Sequence, residues 1–159
     1  MGAGRGSEGP GSDRRCGGPG VGGRAVRTLG LLGAVDLPGD VGAVAVARAY
    51  VRVLLGATGL SDAERVESLV SELVANAVQH SNSGRRERGM VKLVLSDTGN
   101  AVHVDVIDEG SVGAIPQIPA QVDPLSEGGR GLWLVQELSS AWGWADDKRG
   151  RVVWFEVKG

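Results

Sequence analysis

Two polar turns constrain this chain more than any other feature. Asp97-Thr98-Gly99-Asn100 and Asp146-Asp147-Lys148-Arg149-Gly150 each separate two short runs rich in Val, Leu and aromatic residues. Such a turn between β-forming runs predicts an antiparallel hairpin. The first hairpin joins Met90–Ser96 to Ala101–Asp108, with Val102, Val104 and Val106 on one face. The second joins Trp142–Ala145 to Arg151–Val157. Helical patterns precede both. From Val41 to Leu55 the chain is mostly Ala, Val and Leu, with Arg48 and Arg52 four apart. That spacing predicts a buried helix with one wet stripe, ended by Gly56 and Gly59. Ser61-Asp62-Ala63-Glu64 reads as a capping box opening a second helix that runs to about Ser81. Gly131–Ser140 resumes helical spacing through Leu132, Val135 and Leu138. A short edge strand over residues 29–37 precedes the Leu37-Pro38-Gly39-Asp40 turn. Helices, a strand pair, a helix and a strand pair in that order predict an α+β fold: a mainly antiparallel sheet with helices on one face.

The remaining priors narrow the function classes. Of 159 residues, 27 are glycine, and ten of those fall in residues 1–24 beside four arginines and two prolines. That stretch cannot bury enough apolar surface to offset its ordering entropy, so it reads as a disordered extension. Residues 25–159 then form a single domain. They carry 13 basic against 17 acidic residues, which argues against a broad nucleic-acid footprint. The single cysteine, Cys16, excludes an internal disulfide framework and suits a reducing, cytoplasmic setting. No apolar run approaches the ~18 residues of a membrane span.

The second helix breaks its own pattern. With Glu72 at zero and about 100° per residue, its apolar residues fall between about 60° and 240°. Glu72, Asn76 and His80 are spaced i, i+4, i+8 and sit near 0°, 40° and 80° on the same scale, so they run into the margin of the apolar arc. A buried polar side chain without a partner costs ~1–3 kcal/mol. The stripe therefore reads in one of two ways. It is a set of boundary residues satisfied by backbone groups, or it is the polar wall of a ligand or metal site. Two glycine loops bear on the choice. Asp108-Glu109-Gly110 ends the Val-rich strand, where an aspartate can accept a hydrogen bond from a ligand amine while glycine keeps the backbone clear. Gly128-Gly129-Arg130-Gly131 directly precedes a helix, where exposed amides and the helix field favour an anion. The spacing matches neither a P-loop nor a dinucleotide fingerprint. Residues 109–128 form a long aperiodic loop with three prolines.

In order, Glu72 to His80, Asp108-Glu109-Gly110 and Gly129-Arg130-Gly131-Leu132-Trp133-Leu134-Val135 resemble the N box and the two glycine boxes of the GHKL ATPases. The branch they most resemble is that of the anti-sigma factor serine kinases, with Trp142-Gly143 and Gly150 to Glu156 also matching. The resemblance spans about residues 36–157. It implies an α/β two-layer sandwich whose mixed, mostly antiparallel sheet carries helices on one face. It also implies ATP and Mg²⁺ as cofactors. By that resemblance Asn76 holds Mg²⁺ against the triphosphate, and Glu72 is the general base for an attacking serine hydroxyl. Asp108 receives the adenine amino group, with Gly110 permitting its approach. Gly129, Arg130, Gly131 and Leu132 line the phosphates, His80 faces them or stands just behind, and residues 111–128 form a lid. Val112 stands where a second glycine is common. Val152 takes the place of a hydroxyl residue that helps read adenine. The implied function is a serine/threonine protein kinase that regulates transcription through a sigma factor or an anti-sigma antagonist protein, with a homodimer possible. The rival readings are a pseudokinase that sequesters its partner without turnover and a plain metal-dependent ATPase.

Overall fold

The structure, a computed structural model, describes residues 30–58, 62–111, 130–146, 148 and 150–159. The chain runs β1 (Gly30–Pro38), α1 (Ala43–Thr58), α2 (Ala63–His80), a 3₁₀ turn (Asn82–Gly84), β2 (Met90–Asp97), β3 (Ala101–Asp108), α3 (Arg130–Leu138), β4 (Ala141–Asp146) and β5 (Arg151–Lys158). The strands form one sheet in the order β1-β2-β3-β5-β4. Both expected hairpins are present, β1 is an edge strand as read, and the second hairpin docks through β5 onto β3. The parallel component of the expected mixed sheet does not occur among the described residues: every neighbouring pair is antiparallel.

Alternation along the strands divides the sheet into two faces. Val91, Leu93, Leu95, Val102, Val104, Val106, Phe155 and Val157 point inward and are buried in one core with α1, α2 and α3. The other face carries His103, Asp105, Trp154 and Glu156, all only partly buried. Helices on one side of an antiparallel sheet give the two-layer α+β arrangement that the hairpins required.

The expected capping box depends on the Ser61 side chain. The N-cap of α2 is Asp62, in left-handed backbone at φ 69° with no side-chain cap bond, and its carboxylate lies 3.3 Å from Arg65 instead. Ser61 lies outside the described residues. The wet stripe of α1 is not simply solvated. Arg48 and Arg52 both reach across to Glu67 of α2, at 3.0 Å and 3.3 Å from their Nε atoms. The hydrogen bonds from Arg52 and then Arg48 hold the Glu67 carboxyl below its usual range. This explains how a glutamate comes to be only 7% exposed. Among the described residues no helix is long and apolar enough to cross a membrane.

Candidate functional site

The site is built where three segments converge: the middle of α2, the turn after β3, and the first turn of α3. On α2, Glu72 and Asn76 stand one turn apart and are both half-buried. Gly131, buried as the second residue of α3, lies directly on them. A Cβ there would sit 2.9 Å from Glu72 Oε2 and 3.1 Å from Asn76 Nδ2. A side chain at this position would have to push the ends of Glu72 and Asn76 aside. The first turn of a helix has amides without intrahelical partners and a partial positive field. The contact therefore places those amides beside a carboxylate and the Asn76 side-chain amide. Arg130 opens the helix half-exposed, while Leu132 sends its side chain into the core, so only its backbone is available to a ligand. Gly129, Val112 and the anticipated lid beyond Ser111 lie outside the described residues. His80 ends α2 exposed, whereas Glu72 and Asn76 are half-buried. The wheel placed it in the apolar arc, but it is the last residue of the helix.

Asp108 ends β3 on the inner face, 8% exposed. Gly110 takes up left-handed backbone at φ 68° and donates its N–H to Asp108 Oδ1 at 2.6 Å. Burial pushes the Asp108 carboxyl above its ordinary range, opposed by the Gly110 N–H and the nearby Arg151 charge. The turn is fixed from behind. Asn82 donates its N–H to the Gly110 carbonyl at 2.8 Å. The buried Ser83 hydroxyl accepts from the Glu109 N–H at 2.9 Å and donates to the Met90 carbonyl at 2.7 Å. Ser81 donates to the Ala77 carbonyl and accepts from the Ser83 N–H, closing the end of α2. The sequence shows this segment only as a polar loop. The one available signal is the pair of small hydroxyls at a helix end before Gly84 and Gly89, whose Cβ positions would meet the Val78 and Ser83 carbonyl oxygens at 1.8 and 1.7 Å.

The last strand requires a correction. Val152 pairs with Ile107 and faces away from the helices, whereas Arg151 is the residue paired with Asp108 and on its face. The register follows from Gly150, where a Cβ would fall 1.8 Å from the Asp108 carbonyl oxygen, so the strand starts hard against β3. A one-residue shift in alignment exchanges the faces. Arg151 is itself 8% exposed. Its Nε donates to Asp146 Oδ1 at 2.6 Å and its Nη2 to Asp146 Oδ2 at 3.0 Å, and its guanidinium lies 5.3 Å over the Trp144 ring.

Chemically, the arrangement offers a helix N-terminus for phosphate, with a side-chain amide and a carboxylate against it, and a buried carboxylate for an amine donor. Among the described residues no three His, Cys, Asp or Glu side chains are grouped as a metal cage. An Mg²⁺ ion held against phosphates usually takes one or two protein oxygens and completes its octahedron with phosphates and water. Comparison with curated proteins found no match. The family model for the histidine kinase-like ATPase domain matches residues 37–157, which takes in every described element of the site. This chain therefore belongs to the histidine kinase-like ATPase family, the ATP-binding modules of the GHKL superfamily.

Proposed function

We propose that this protein is an ATP- and Mg²⁺-dependent serine/threonine protein kinase of the anti-sigma factor type. It works in the cytoplasm on a regulatory partner, either a sigma factor or the antagonist domain that carries the accepting serine. The observation that carries the reading is the seating of Gly131 on Glu72 and Asn76. Phosphoryl transfer needs positioning and charge neutralisation more than covalent chemistry. The first turn of α3 supplies amides to the phosphates. Asn76 supplies one oxygen to Mg²⁺, which when bound offsets the phosphate charge. Glu72 accepts the proton of the serine hydroxyl, and Asp108 accepts the adenine amino group. Calorimetric titration with a non-hydrolysable ATP analogue, with and without Mg²⁺, tests the first half. Transfer of labelled γ-phosphate to the serine of an antagonist-domain protein tests the second. Mg²⁺-dependent binding followed by serine labelling is expected. Binding without labelling makes the protein a non-catalytic nucleotide module, and no binding at all overturns the reading.

A further inference from the structure

At one end of the inner sheet face, Asp108 on β3, Arg151 on β5 and Asp146 on β4 lie side by side across three neighbouring strands. Arg151 is the one cation on that face among the described residues. Its side chain is 10% exposed, fixed by two hydrogen bonds to Asp146 and by the face of Trp144. A guanidinium held this firmly in a buried place acts on the charge beside it more strongly than a mobile surface arginine. That neighbour is Asp108, the carboxylate to which the nucleotide reading gives the base.

The protonation state of Asp108 decides what it can recognise. Oδ1 is already taken by the Gly110 N–H. A proton on the carboxyl would therefore sit on Oδ2 and present a donor to an amino group that is itself a donor. Burial favours that proton. Asp146 and Glu109 favour it too, and the Gly110 N–H and Arg151 oppose it. The Glu109 carboxylate lies 3.7 Å from Arg86 in the loop after α2. From α2, the titratable groups toward this end are Glu72, against Gly131, and His80, exposed at the helix terminus. From β2, the inner face presents Val91. Arg151 is thus the fixed charge that stands against the burial of Asp108.

We propose that Arg151 is a positioning residue for nucleotide recognition: clamped by Asp146 and laid over Trp144, it keeps Asp108 an acceptor-only carboxylate and so sets the acid limit of adenine-nucleotide binding. The inference rests on the nucleotide reading above. The test uses the full chain, with Asp108 followed by carboxyl carbon NMR in the absence of nucleotide and ATP binding followed by calorimetry between about pH 5.5 and 8.5. In Arg151→Gln the Asp108 midpoint should rise by about one unit or more, the usual effect of losing an adjacent opposite charge. ATP affinity should then fall up to about tenfold further than in the wild type on the acid side and match it on the alkaline side. Arg151→Lys, which keeps the charge, should restore most of the wild-type profile. An unmoved Asp108 midpoint in Arg151→Gln, or affinity lost equally at every pH, overturns the proposal. So does an Asp108 that is protonated at pH 7 in the wild type, a measurement that stands even if the variant does not fold. A wild type that binds no ATP at any pH overturns the nucleotide reading itself and this proposal with it. ATP binding with identical acid profiles overturns this proposal alone.

Discussion

Glu72 and Asn76 are neighbours on one helix face, yet the chemistry asks different things of them. Mg²⁺ is demanding about its octahedron, and the Asn76 amide oxygen would fill one position of it. Asn76→Ala should abolish the Mg²⁺-dependent part of nucleotide binding in calorimetry. Glu72→Ala should leave binding in place and slow phosphoryl transfer by ~10²–10⁴, the usual contribution of a general base. Transfer at wild-type rate in Glu72→Ala would remove the base assignment. A second titratable group makes a different prediction. His103, on the opposite sheet face, lies between Asp105 and Glu156, at 3.2 and 3.1 Å, and stacks on Trp154. The hydrogen bond to Asp105 is the main cause that raises its pKa above 6.5, with Glu156 adding to it against the effect of burial. A raised histidine stabilises the fold fully below its unfolded pKa, and that contribution is lost as pH rises through the folded value. Melting of the wild type should therefore weaken from about pH 6.5 upward, by no more than about 1 kcal/mol for a partly solvated cluster. His103→Gln should lack that slope, and the same slope in both proteins would show that the cluster contributes nothing.

At the scale of elements, the contact between α2 and α3 is where sequence and site meet. Gly131→Ala puts a methyl group 2.9 Å from Glu72 Oε2, a side-chain end that can swing away. Alanine also favours a helix over glycine by up to about 1 kcal/mol. Melting temperature should hold or rise, while affinity for Mg²⁺–ATP falls because Glu72 and Asn76 are displaced. A variant that binds as the wild type would show that this seat is packing alone. The legible part of the site lies on the same elements. Glu72 and Asn76 stood out because polar residues interrupted an apolar arc, and Asp108 because it closed a Val-rich strand before a glycine. Ser83 did not, because a small hydroxyl shows its role only when the distant Met90 and Glu109 backbones arrive. Glu67 did not either: its burial depends on two arginines from another helix.

For the molecule as a whole, the hairpins and helices were readable, since period and turn chemistry are local properties. The strand order was not, because nothing in a hairpin says which of its strands will meet the rest of the sheet. The face of the last strand was lost for a related reason. Val152 and Val153 are the same residue type, so composition cannot say which points inward, and only the close approach of Gly150 to β3 fixes it. Val152→Thr should accordingly leave ATP affinity unchanged and shift stability by under about 0.5 kcal/mol, as for a surface substitution. Tighter ATP binding in that variant would mean the strand is in another register. The same seam has a wider consequence. The turn that opens β5 and the turn that follows β3 touch backbone to backbone, with no side chain between them to cushion movement. The C-terminal hairpin and the carboxylate assigned to the base therefore behave as one mechanical part. A displacement of that hairpin would pass directly to the turn that carries Asp108.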